Sequence, residues 1–107
     1  MIHKDRTIRS KKLRDSARGQ DCLMSVPGVC NHNPETTVLT HIRSHTSKGI
    51  GQKPHDLLAV WACSGCHDWY DGRTHAKDAN AMRDDYFNDA HKRQLIEWER
   101  MGLIKVA

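Results

Sequence analysis

Four cysteines constrain this chain more than any other feature. Cys22 and Cys30 enclose seven residues, and Cys63-Ser64-Gly65-Cys66 follows after a gap of 32. Two thiolates in a C-x₂-C step on a tight turn can reach one tetrahedral Zn²⁺ at a Zn–S distance of about 2.3 Å. Ser64 and Gly65 suit the sharp bend this requires. Pro27-Gly28 marks a turn between the first two thiols and can fold that looser pair together. As a set, Cys22, Cys30, Cys63 and Cys66 read as a four-cysteine structural zinc site, with His32 as an alternative ligand in place of Cys22 or Cys30. A redox C-x-x-C is the competing reading. The absence of a surrounding βαβ pattern and the presence of a second cysteine pair weigh against it. Buried thiols without any metal are the third reading.

The rest of the composition makes a metal useful. The chain has 107 residues, enough for one domain, with 37 % apolar residues and a single Phe. So thin a core usually needs a disulfide, a metal or a partner chain. No run approaches the roughly 20 apolar residues of a membrane span. The N-terminus lacks an apolar signal-peptide region. Together these predict a cytoplasmic protein without membrane association, where thiols stay reduced. The net charge of +4 is uneven, with +5 on the first twenty residues and −1 on the remainder. A basic arm on a nearly neutral body suits a polyanion, most simply nucleic acid; a solvated terminus that aids solubility is the alternative.

Residues 1–9 read as a flexible basic arm and 10–107 as a single domain. Ser10 can cap a short helix to Arg18, stopped by Gly19. Residues 36–42 (TTVLTHI) are rich in β-branched residues and read as a strand. Residues 44–54, with two Gly, two Lys and a Pro, read as a mobile loop. Residues 57–62 (LLAVWA) fit a buried second strand. A short helix then opens at the C-x₂-C and ends near Gly72. Asp78 or Asn80 can start a longer helix to about Arg100, with Met82, Tyr86, Ala90, Leu95, Trp98 and Met101 at roughly helical spacing. Leu103 to Val106 then forms an edge strand or packs back. Tyr86, Phe87 and Trp98 give the long helix enough apolar surface to pack internally or across a homodimer. Trp61, Trp69 and Trp98 can stack on bases, although packing suits at least two of them better.

Position, more than number, draws attention to the histidines. His41 lies near the end of the first strand, His67 directly follows the C-x₂-C, and Asp71 lies one helical turn later. On a helix His67 and Asp71 share a face and can hold one divalent cation. His41 can then act as a general base that deprotonates a water, while the cation stabilises the charge of a phosphodiester cut. For each residue a structural role is the alternative: a satisfied strand histidine, a helix cap or further zinc ligand, a plain turn.

The order Cys…Cys, strand-borne His41, loop, then Cys63-Ser-Gly-Cys66-His67 resembles the HNH endonucleases with a zinc-knuckle frame. More narrowly, Cys22…Val26-Pro-Gly-Val-Cys-Asn31, Asn33-Pro-Glu-Thr36, His41-Ile-Arg43, Ala62-Cys-Ser-Gly-Cys-His-Asp68 and Asp71-Gly-Arg-Thr-His75 resemble the YbcO-like nucleases of phages and prophages. The resemblance spans about residues 10–105. It implies an α+β fold: a small ββα-metal core with a zinc knuckle, flanked by a short N-terminal helix and a longer C-terminal one. It further implies His41 as general base on the first strand, with Arg43 beside it. His67, with Asp71 or His75, would hold a catalytic cation, Mg²⁺ or Mn²⁺ or a second Zn²⁺. Arg43, Lys48, Lys53 and Arg73, with Lys11, Lys12 and Arg14 of the N-terminal region, are the expected phosphate contacts. DNA is the implied partner, in replication or recombination alongside other phage proteins. Two positions depart from the HNH pattern. Thr40 stands where many such enzymes place an acidic or second His ligand before the base. The middle Asn is not obvious, and Asp56 is its closest candidate.

Overall fold

The computed structural model describes residues 8–43, 55–72 and 80–105. Lys48, Lys53, Arg73 and His75, the expected loop at 44–54 and most of the basic arm lie outside these residues. Helix α1 (Lys11–Asp15) starts at Ser10, whose side chain accepts from the Leu13 N–H at 3.2 Å. It is shorter than the span to Arg18 that Gly19 suggests. The Ser16 hydroxyl donates to the Leu13 carbonyl at 2.6 Å, and i→i−3 bonds from Ala17 and Arg18 replace the helical ladder. A serine hydroxyl that bonds a preceding carbonyl competes with helix continuation in this way.

A 3₁₀ turn at Pro34–Thr36, capped by Asn33, takes up the beginning of the expected first strand. Strand β1 is therefore Val38–His41, paired antiparallel with β2, Ala59–Ala62. The register sets Leu39 against Trp61, Thr40 against Val60 and His41 against Ala59. Residues 57 and 58 precede β2, where a turn bonds the Leu58 N–H to the His55 carbonyl. Helix α2 (Ser64–Tyr70) follows β2 at once, and helix α3 (Asn80–Arg100) crosses behind the hairpin. Together β1, β2 and α2 make the ββα unit.

Alternation along the strands splits the core into two clusters. Val60 and Ala62 pack with Cys63, Cys66, Trp69, Tyr70 and Phe87, with Ile42 against them. Trp61 packs on the opposite side with Leu13, Ala17 and Trp98, with Leu39, Leu103 and Ile104 against them. Among the described residues, the segment after α3 thus packs back and adds no edge strand. The far edge of β2 is nonetheless covered at Trp61, whose carbonyl accepts from the Leu23 N–H at 2.8 Å and whose N–H donates to Gln94 Oε1 at 2.7 Å. Both outward backbone groups of that residue are therefore paired.

The inward face of α3 differs from the expected one. Phe87, Ala90, Gln94 and Trp98 are buried together with Arg83, whereas Met82, Leu95 and Met101 are exposed. Two polar residues hold inward positions because their heads have backbone partners. Arg83 Nε donates to the Trp69 carbonyl at 2.6 Å, and Gln94 serves the β2 edge. All three tryptophans are buried, so packing is their role and none is presented for base stacking. Phe87 and Trp98 likewise pack within the chain.

Candidate functional site

The knuckle brings the four cysteines together: their sulfurs all lie within 4.8 Å of one another. The Pro27-Gly28 turn, with Gly28 at φ 74°, closes the first loop, and the Val29 and Cys30 N–H groups both bond to the Val26 carbonyl. Cys63 caps α2, its Sγ accepting the Cys66 N–H at 3.4 Å; the Asn31 N–H reaches the same sulfur at 3.4 Å. The Ser25 N–H meets Cys22 Sγ at 3.4 Å. Gly65 lies inside α2 with an ordinary φ, so a sharp bend is not what requires it. A Cβ there would meet the Val29 carbonyl oxygen at 2.5 Å, so glycine allows the two cysteine loops to approach.

These sulfurs fit a tetrahedral metal ion. A Zn–S bond of about 2.3 Å implies S···S edges of about 3.8 Å, and Cys30 and Cys63 stand 3.8 Å apart. The hydrogen bond from Cys66 outweighs burial and holds the Cys22 pKa down at about 4, while that same bond and burial push Cys66 up. Burial pushes Cys30 up. His32 sits outside the set, its Nδ1 at 3.7 Å from Cys30 Sγ, at a positive φ of 56°.

Directly after the knuckle, α2 presents His67 and Asp71 on one face. His67 Nε2 and Asp71 Oδ2 are 3.0 Å apart, and both side chains are 29 % exposed. The i, i+4 spacing sets them over one another, and the Cys63 carbonyl, bonded by the His67 N–H at 2.9 Å, ties the pair to the knuckle. A nitrogen and a carboxylate oxygen converging at the surface suit a divalent cation. Their third expected companion, His75, lies outside the described residues.

His41 forms a separate pair. Its Nε2 is 2.8 Å from Oδ1 of Asp56, whose side chain is wholly buried. Strand alternation turns His41 to the side of Leu39 and α1, whereas Ile42 packs with the α2 cluster. Thr40 is fully buried, its hydroxyl without a partner among the described residues. Arg43 links the two regions. Its N–H donates to the Tyr70 hydroxyl at 2.7 Å, its guanidinium donates to the Tyr70 carbonyl at 3.2 Å and lies 5.7 Å from that ring's centre. Burial pushes the Tyr70 pKa up to about 12, so it meets Arg43 as a neutral phenol.

Asp56 gathers a group of N-terminal partners. The Ser10 N–H donates to Oδ2 at 2.6 Å, Arg9 lies 3.3 Å from Oδ1 and Arg14 lies 3.6 Å from Oδ2. Burial pushes this carboxyl up, but the hydrogen bonds from His41 and Ser10 and the Arg9 charge outweigh it and hold it below the usual range. Of the expected DNA contacts, Arg14 therefore stands at Asp56 and Lys11 pairs with Asp15 at 2.8 Å, while Lys12 is exposed.

The match to known proteins covers the four cysteines, His41, Asp56, His67 and Asp71. Residues 11–103 fit the model of the family described as "Putative nuclease YbcO". The chain belongs to the YbcO family. It is 48 % identical over 93 residues to the protein of that name from Escherichia coli K12, covering 87 % of this chain and 96 % of that one. A protein of the same name from Enterobacteria phage 82 matches with the same identity and coverage. The solved structure of a putative bacteriophage protein from E. coli K-12 superposes with a TM-score of 0.71 at 44 % identity, covering 85 % of this chain and all of that one. This member of the YbcO family thus has the ββα unit with a four-cysteine cluster able to coordinate a metal ion. No helix among the described residues is long and apolar enough to cross a membrane.

Proposed function

We propose that this YbcO protein is a metal-dependent DNA endonuclease, hydrolysing phosphodiester bonds during phage replication or recombination. The observation that carries the reading is the His67–Asp71 pair, fixed to the knuckle at the start of α2 in a chain of a nuclease-named family. In this reading Cys22, Cys30, Cys63 and Cys66 hold a structural Zn²⁺, which fixes where α2 begins. His67 and Asp71, with His75, hold a catalytic Mg²⁺ or Mn²⁺, or Zn²⁺, which when bound stabilises charge on the phosphate and the leaving oxygen. His41 accepts the proton of the attacking water, and Arg43, braced on Tyr70, holds a phosphate beside it. Lys48, Lys53, Arg73, Lys11, Lys12 and Arg14 extend that grip along the backbone. Residues 10–107 act as one domain.

A non-catalytic zinc-stabilised module that binds DNA or a protein is the second reading. It is favoured by one feature: among the described residues, only the cysteine cluster brings three or more metal-ligating side chains together. A plasmid-nicking assay with Mg²⁺, Mn²⁺ or EDTA, run beside His41→Ala, separates the two. The nuclease predicts metal-dependent nicking that falls by about 10²-fold or more in the variant, with zinc content unchanged. No nicking, or equal nicking by the variant, removes the catalytic assignment and leaves the binding module.

A further inference from the structure

The buried carboxylate of Asp56 makes the hydrogen bond to the side chain of His41. It sits before β2, on a segment that the chain's N-terminal part clamps. The Ile8 N–H donates to His55 Nδ1 at 2.7 Å and the Asp56 N–H donates to the Ile8 carbonyl at 2.8 Å. A fully buried carboxylate is costly unless charged and hydrogen-bonding partners compensate it. Here Arg9 and Arg14 supply charge and the Ser10 N–H a hydrogen bond. The two guanidinium groups provide the counter-charge, which leaves the imidazole to meet the carboxylate as a hydrogen-bond donor.

We infer that Asp56 is the positioning residue for His41: it accepts the Nε2–H, fixes the ring's orientation, and so makes Nδ1 the nitrogen that carries the free lone pair. This rests on the reading of His41 as general base and adds to it the atom that takes the proton. The chemistry is that of a carboxylate holding an imidazole in one tautomer, the second ring nitrogen being set by the bond the first one makes. An ionised carboxylate can only accept, so a 2.8 Å contact requires the proton on Nε2. His41 is 23 % exposed, so the ring has a route to water while its Asp56-bonded edge is enclosed. Arg9 and Arg14 enter as the charges that keep Asp56 in place. They also make the N-terminal segment part of the site's scaffold rather than only an arm for DNA.

The first test needs no variant. Long-range ¹H–¹⁵N spectra of the zinc-loaded wild-type protein should show neutral His41 with its proton on Nε2; a proton on Nδ1 overturns the inference. The second compares Asp56→Asn, His41→Ala and the double variant in the nicking assay, with zinc content and melting followed alongside. Asp56→Asn should lower the rate by about 10²-fold or more and change the His41 ring signals, yet cost nothing further in the His41→Ala background. Wild-type nicking rates with an unchanged ring overturn it, and so does an equal loss in both backgrounds. If the wild-type protein cuts no DNA with any metal, the nuclease reading fails, and the ring spectra of wild type and Asp56→Asn still decide whether Asp56 sets the tautomer.

Discussion

Replacing Ser16 with Ala should destabilise the fold by several kcal/mol, a large effect for the loss of one oxygen atom. Its hydroxyl accepts from Trp61 Nε1 at 3.1 Å and from Trp98 Nε1 at 2.9 Å, while donating to the Leu13 carbonyl at 2.6 Å. One donor and two acceptor positions are all a hydroxyl has, so the group is saturated. Trp98 is 0 % exposed and Trp61 3 %, which keeps water from replacing the lost acceptor. Each buried N–H left without a partner costs about 1–3 kcal/mol, so two indoles give about 2–6 kcal/mol. Against a typical domain stability of about 5–15 kcal/mol, that loss is readily measured. Urea unfolding of the zinc-loaded protein, followed by tryptophan fluorescence and by circular dichroism, reads it directly. Metal must be held constant, because a bound ion adds its own stabilisation. Trp98→Phe removes one of the two donors, so it should cost less in the Ser16→Ala background than in the wild type, by about 1 kcal/mol or more. A Ser16→Ala loss under about 1 kcal/mol, or strict additivity with Trp98→Phe, would refute the claim that the two indoles depend on one hydroxyl.

Two further outcomes follow from the knuckle and from Asp56. Gly65→Ala should cost about 1–3 kcal/mol and weaken zinc retention against a chelator, since the new methyl meets the Val29 carbonyl oxygen at 2.5 Å; competition with a chromogenic chelator reads the second effect, and unchanged retention argues against the close approach. In acid, the depressed Asp56 pKa makes the unfolded chain the first to bind a proton as pH falls. Its stabilisation is therefore complete above about pH 4 and is lost as pH drops through the lower folded value. The difference in urea midpoint between wild type and Asp56→Asn should shrink over that window, whereas a difference that stays constant contradicts the assignment.

The fold was most legible where local chemistry and tertiary role coincide. C-x₂-C spacing, β-branched runs and a Gly-terminated helix each speak through neighbouring residues, so β1, β2, α2 and the knuckle could be read from short windows. The face of α3 could not. Arg83 and Gln94 count as polar in any periodicity argument, yet both lie inside because Trp69 and Trp61 offer backbone partners. Met82 and Leu95 count as apolar and lie outside. Ser16 reads as an unremarkable helix residue, because its role depends on two indoles 45 and 82 positions away. In the sequence Asp56 is only an imperfectly spaced counterpart of an asparagine. Its hydrogen bond to His41 spans 15 positions and arises from the hairpin register and the N-terminal clamp, neither of which leaves a mark in sequence spacing.

The same reasoning explains why so small a chain can hold polar groups in fixed places. Cys63 follows β2 directly and caps α2, Cys66 lies in the first turn of α2, and His67 is the next residue. Sulfur positions, helix start and candidate ligand direction thus form one short covalent path with little freedom between its ends. On the other side of the sheet, the carbonyl and N–H of Ile8 close onto residues 55 and 56, and Asp56 closes onto His41. The hairpin lies between these two anchors, and Arg43 on Tyr70 joins them across the end of β1. A loosened knuckle would therefore displace His67 and Asp71 first, whereas a loosened N-terminal segment would displace His41 first. Stability and site geometry are not independent in such a fold, because most of the groups that order the site are also those that compensate for its thin apolar core.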